Sequence, residues 1–196
     1  MIMGKSVNAF LAKAGSLIVE LKERADVIPF IVSELNALFP KVKEAMAKIK
    51  ELETNIESIA KTLKHYDLFQ SALGVGPITA ATMLVLLCNP EVFKNGREFA
   101  AYIGLAPKSS GSDGKNFVTH IPKKYECNNE VRTLLVQCAH AICRSKHKSD
   151  WVSSILARKP KKVAIIAIAN KLARQLWIMA KKGEKFERRF ILAAAQ

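Results

Sequence analysis

Acidic side chains are scarce in the second half of this sequence. Residues 94–196 hold seven Asp or Glu against 21 Lys or Arg, whereas residues 1–93 hold ten of each, so the whole net charge of +14 resides in one half. That scarcity excludes a multi-carboxylate metal site built from the second half alone. Closely paired cysteines are also missing. Cys88, Cys127, Cys138 and Cys143 form no C-x-x-C pair, which excludes a disulfide framework and a standard zinc finger. Cys138, His140, Cys143 and His147 crowd together, but at no finger spacing. We therefore expect reduced thiols and no metal held by this chain. No apolar run reaches the roughly 18 residues that span a bilayer, and the N-terminus shows no apolar leader with an A-x-A site. A cytoplasmic protein without a membrane partner is the expectation.

What is present is helical periodicity and concentrated positive charge. An apolar share of 49% over 196 residues supplies a real core. The excess of cations on one half predicts a polyanionic partner, with nucleic acid foremost. Residues 5–38 are helix-compatible through Leu17, Leu21, Ile28, Ile31, Leu35 and Leu38, with Pro29 in a first turn or kink and Phe39-Pro40 as a boundary. Ala45, Ile49, Leu52, Ile56, Ile59 and Leu63 then repeat at spacings of 4, 3, 4, 3 and 4, a heptad seam. It fits a long helix packed within the chain or a coiled coil between copies.

The run Leu73-Gly74-Val75-Gly76-Pro77 separates two helical stretches. Glycines allow a tight turn and Pro77 suits a first helical position, so the pattern predicts a helix-hairpin-helix whose free N–H groups can hold a backbone phosphate. It is not a P-loop, because no G-K-[ST] follows. Asn89-Pro90 ends the second helix, and Phe93, Phe99, Tyr102, Ile103 and Leu105 are expected to cover the hairpin. Residues 107–115 read as a polar loop, 117–121 as a short strand, and Asn128 or Asn129 as the cap of a helix reaching about Cys143. Trp151 to Leu156 is apolar and helical. Residues 158–162 read as a basic connector, followed by a last helix from Val163 with Lys171 and Arg174 on its exposed side. The predicted class is mainly α: a helical arm with a coiled-coil segment over 1–68, then a basic helical domain over 69–196 that contains the hairpin and a short β/loop insertion.

With the Gly74-Val75-Gly76-Pro77 turn, the run from Phe99 to Pro107, the serine loop and the Lys159-Pro160-Lys161-Lys162-Val163-Ala164 segment in order, the sequence resembles the C-terminal half of the IS110/IS116/IS902 transposases over roughly residues 70–180. Residues 28–66 resemble that family's linking coiled coil. The resemblance implies a DNA recombinase with an N-terminal RuvC-like domain carrying four acidic residues, and an essential serine in the C-terminal domain. Some members use a structured RNA as a guide. Counting the approximate pattern P-x-x-x-x-S-G from Pro107 gives Ser112, followed here by Asp113; Ser110-Gly111 reproduces the pair two positions early, and Ser110 is the reserve. An approximate K-x-G-N element falls on Lys124 to Asn128, with two extra residues and Cys127 where glycine would stand.

A serine nucleophile needs activation and a cationic cradle for the phosphoryl group. Candidate nucleic-acid contacts are Gly74, Gly76, Lys108, Lys115, Lys123, Lys124, Asn128, Arg132, Arg144, Arg158, Lys161 and Lys162, with His120 and His140 as weaker candidates for a base or phosphate partner. The resemblance implies Mg2+ in the full-length enzyme and none in this chain. No RuvC-like half precedes residue 28, so the isolated chain is expected to be inactive. The expected partners are double-stranded DNA, a structured guide RNA, and a second copy bound through the helical arm. The alternative is a non-catalytic DNA- or RNA-binding module or a transposase remnant.

Overall fold

A computed structural model describes residues 7–23, 29–110 and 118–185, with side chains described for 13–21, 29–107 and 121–185. The chain divides into two compact units, residues 1–55 and 56–196. In the first, α1 (Val7–Glu23) is followed by α2 (Pro29–Lys61), which extends into the second. Pro29 opens α2, where its missing N–H has no partner to lose. Ala14 and Ile18 of α1 and Val32 of α2 are buried, and the Phe39 ring lies 3.9 Å from where a Cβ on Gly15 would stand.

The boundary expected at Phe39-Pro40 is absent, because α2 continues through Pro40. Proline removes one hydrogen bond and crowds one carbonyl, at about 3 kcal/mol. Leu35, Ala37 and Leu38 before it, and Glu44, Ala45, Met46 and Ala47 after it, are strong helix formers that carry the helix across. The apolar spacing of Ile31, Leu35 and Leu38 therefore joins that of Ala45 to Leu63 through Val42. On this seam Ile49 is 51% and Leu52 49% exposed in the first unit, and Ile59 is 64% exposed in the second.

The second unit is built around α8 (Lys161–Lys182). Ile165, Ile168, Leu172, Leu176 and Met179 are buried, and Ala164, Ala169 and Ala173 leave room for neighbouring backbones. α6 (Asn129–Arg144) and α5 (Gly96–Tyr102) are its main partners, with further contact from α3 (Tyr66–Gln70), α7 (Asp150–Arg158) and the 3-10 turn Pro90–Val92. A Cβ on Gly96 would stand 3.2 Å from the Cα and carbonyl oxygen of Arg174, so glycine permits this α5–α8 approach. Phe93, Phe99, Ile103 and Leu105 are buried as expected. Tyr102, expected with them, is exposed, and α5, which carries Phe99, covers α8 more than the hairpin. Trp177 closes the same region by donating its indole N–H to the Pro90 carbonyl at 2.9 Å. By length and composition α8 could cross a membrane, and here it is the central core helix.

Local capping explains where these helices start. Asn95 accepts from the N–H groups of Arg97 and Glu98, while the Glu98 carboxylate accepts from Lys94 N–H. Asn128, rather than Asn129, caps α6 by accepting from Val131 N–H, and Ser149 caps α7 by accepting from Val152 N–H. α8 begins at Lys161 immediately after Pro160, two residues before the expected start, and ends at Gly183 with φ +69°.

The expected β/loop insertion is corrected: the architecture is all-helical, and helix-to-helix packing carries the core. The one ladder among the described residues pairs Lys108–Ser110 with Val118–His120, three antiparallel pairs that close a loop. Strands this short, with no third neighbour, form no sheet layer with a core of its own.

Candidate nucleic-acid interface

The loop that carries the candidate serines is held at both ends. Lys108 pairs with His120 and Ser110 with Val118, which places Lys108 and Ser110 on the ladder by their backbone. Ser112 and Lys115 lie outside the described residues. Beyond the ladder, the Arg132 guanidinium donates to the Pro122 carbonyl at 2.6 Å and to Asn129 Oδ1 at 2.7 Å. Arg132 thus ties the outgoing strand end to the start of α6. Asn128 is committed as that helix's cap, and its own N–H donates to the Tyr102 carbonyl. Both side chains hold the scaffold that positions the loop.

Cys127 stands at the expected glycine position with φ −158° and ψ 170°, an extended conformation open to any residue. The glycine the site does require is Gly104, at φ +73°, where a Cβ would stand 2.5 Å from Cys127 Sγ and 3.1 Å from Arg132 Nη1.

The hairpin's two glycines also differ. Gly74 has φ +82°, and a Cβ there would meet Ile142 Cγ1 at 2.7 Å and the Cys138 carbonyl at 2.8 Å. It seats the turn against α6. Gly76 has open space where a Cβ would be and stands at the N-cap of α4 (Pro77–Leu86). Beneath the turn, Cys138 Sγ donates to Thr79 Oγ1 at 3.5 Å, and burial pushes the thiol above its ordinary value of 9.0, against smaller opposing hydrogen bonds.

The remaining candidate cations are exposed. Lys123 and Lys124 sit beside the 3-10 turn Lys124–Glu126, with Lys123 Nζ 5.8 Å from the Tyr125 ring centroid. Arg144 ends α6, Arg158 ends α7, and Lys161 and Lys162 open α8, whose first turn contains no acid. Cys143 connects three of these segments. Burial raises its thiol, while the charges of Lys161 and Lys148 act in the opposite direction. Cys143, one residue before the end of α6, thus feels the charges of Lys148 in the α6–α7 link and of Lys161 at the start of α8. Two lysines at a helix N-terminus add to the positive end of its dipole, an arrangement that an anion relieves.

Lys171 differs from its expected exposed position. Its Nζ is shielded from water, 4.0 Å from the Trp151 ring centroid, and has no hydrogen-bond partner among the described residues. Desolvation, and secondarily the charge of Arg174, pulls its pKa below the ordinary 10.5. Sequence periodicity missed this group, because the ring that covers it comes from α7. Among the described residues no group of three or more His, Cys, Asp or Glu side chains is placed to hold a metal ion, so these residues do not fit a Mg2+ site.

Residues 66–153 match the transposase IS116/IS110/IS902 family. The chain is 32% identical to a putative transposase, y4pF/y4sB, of Sinorhizobium fredii, over 81% of this chain and 42% of the relative. It is 30% identical to a probable family 20 transposase of Pseudomonas aeruginosa, over 74% of this chain and 44% of that protein. With the transposase for insertion sequence element IS1328 of Yersinia enterocolitica it shares 28% identity, over 85% and 51%. The chain thus spans about half the length of the curated relatives it matches. With the hairpin, the serine-loop scaffold and the cationic helix ends all lying in this shared region or directly after it, the chain belongs to the IS116/IS110/IS902 transposase family.

Proposed function

We propose that this chain is the nucleic-acid-binding C-terminal portion of a serine-nucleophile DNA transposase that works beside a RuvC-like domain in the cytoplasm. The observation that carries the reading is the set of exposed cations at helix ends, Arg144, Arg158, Lys161 and Lys162, in a half that holds 21 Lys or Arg against seven Asp or Glu. Exposed Arg and Lys at helix ends grip phosphates without reading bases. Gly76, open at the start of α4, adds backbone N–H groups for a further phosphate.

In this reading Ser112 is the nucleophile and Ser110 the reserve. The serine oxygen forms a bond to phosphorus as the bond to a deoxyribose oxygen breaks, and the serine proton passes to the departing hydroxyl. The phosphoserine ester keeps the bond energy for resealing when another hydroxyl attacks. Lys108, Lys115, Lys123 and Lys124 would stabilise the added phosphoryl charge. Mg2+ belongs to carboxylates outside the described residues. A structured guide RNA is a second partner, attracted by the same cations.

The exposed seam of α2 supports pairing with a second copy. Leu38, Val42, Ile49, Leu52, Ile56 and Ile59 along it are all exposed.

Binding to duplex DNA, structured RNA and single strands across a salt series tests the cationic reading. Affinity for duplex should fall steeply, with a log–log slope of about −0.9 per phosphate contacted. No binding at low salt to any of the three sinks it. In a recombination-competent transposase containing this segment, Ser112→Ala should abolish the covalent protein–DNA adduct. An adduct that persists in Ser112→Ala but disappears in Ser110→Ala moves the nucleophile to Ser110.

A further inference from the structure

We propose that the groove beside the serine loop receives one unstacked nucleotide of a DNA strand, its base on the apolar floor and its phosphate on Lys171 and Arg174. This rests on the DNA-binding reading above and gives it a position. The groove encloses about 800 Å³ between α8, Trp151, and the chain on either side of the loop, with Leu105 and Pro107 on the entering side and Ile121 on the leaving side.

The lining selects its occupant. Among the described residues its charged groups are Lys162, Lys171 and Arg174, with no acid, so an anion is favoured. Most of the remaining wall is apolar, interrupted by the amides of Asn170 and Gln175. A flat apolar surface with two amides at hand suits the face and edge of a base. The Lys171 ammonium has three donors, and none finds a hydrogen-bond partner among the described residues. That ammonium is held against the Trp151 ring face, and when it turns off the ring toward the groove a phosphate oxygen there supplies the hydrogen-bond acceptor it lacks.

Duplex DNA cannot satisfy this arrangement. A paired base has both faces stacked and shows only its edges. A nucleotide turned out of the stack, or lying in a single-stranded stretch, presents the face that the floor needs. Because Pro107 leads directly into the ladder and Ile121 directly follows it, the captured nucleotide would lie beside the two strands that close the serine loop. Trp151, whose ring Lys171 now covers, stands where it would sense the arriving base.

The test uses the full chain and a short duplex, either intact or with a small single-stranded gap carrying 2-aminopurine. One captured base contributes enough for the gapped duplex to bind about tenfold more tightly, with 2-aminopurine fluorescence rising as the base leaves its stacked neighbours. Lys171→Met should erase that preference and leave intact-duplex affinity within about twofold, while Lys171→Arg retains it. Trp151→Leu should remove the part of the tryptophan response that accompanies the gap. Thermal melting by circular dichroism verifies that each variant is folded, and Lys171→Gln serves if Lys171→Met is not. A gap preference that survives Lys171→Met and Lys171→Gln, or equal binding to gapped and intact DNA, overturns the groove while leaving DNA binding intact. Failure of both DNAs to bind sinks the broader reading instead. If an acidic peptide, and not gapped DNA, loses affinity in the Lys171 variants, the groove is a peptide site and the proposal falls.

Discussion

Gly74 and Gly76 are two residues apart, and a methyl group separates their roles. Gly74→Ala forces φ +82° on an alanine and drives its Cβ into Ile142 and the Cys138 carbonyl, so it should lower stability by about 2 kcal/mol or more in denaturant melts. Gly76→Ala meets nothing and should change stability by less than about 1 kcal/mol, while weakening duplex binding if a phosphate approaches this N-cap closely. Cys138 gives a pH dependence of defined sign. Its thiol is raised above 9.0 in the fold, so the unfolded chain loses that proton first; the stability it contributes is present below pH 9.0 and is lost as pH rises through the folded value. Melting of the parent protein and of Cys138→Ala between pH 8 and pH 10 should show a steeper decline for the parent. The turn was legible at this scale because glycine spacing is local. Its partner Ile142, the cover that Trp151 gives Lys171, and the close approach of Cys127 to Gly104 were not, since each depends on a residue distant in sequence.

α8 shows how an element can serve two demands that conflict. Its body is selected for burial, whereas its first turn carries Lys161 and Lys162 against the helix dipole with no acid to offset them. Replacing both by alanine should hold or raise Tm and at the same time reduce the magnitude of the duplex-binding salt slope by about 2. Loss of binding with an unchanged slope would mean that these lysines touch no phosphate. The body of α8 was legible as a last helix from Val163, and its start was misplaced because Lys161 and Lys162 read as linker. In α2 the error ran the other way. Pro40 marks an end only when its neighbours are weak helix formers, and here they are strong ones. The serine segment was read as free loop because Gly and Ser dominate it, yet three backbone pairs close its ends irrespective of side-chain type.

At the scale of the molecule, charge asymmetry and the heptad seam were visible in the sequence because both are sums over many residues. In the function proposed above they would serve separate tasks, self-association on α2 and polyanion binding on the second unit. If the seam pairs two copies, sedimentation without nucleic acid should show a concentration-dependent dimer, and Ile49→Lys with Ile56→Lys should raise its Kd by at least about a hundredfold. A parent protein that stays monomeric at high concentration defeats that expectation. The central position of α8 has one further result. Four other helices and the Pro90–Val92 turn close on this one rod, so its middle amides should be among the last to exchange with deuterated solvent, and a phosphate clasped at its leading turn would brace the hub of the whole unit. Occupancy by nucleic acid would then be felt as resistance to proteases far from any contact with it.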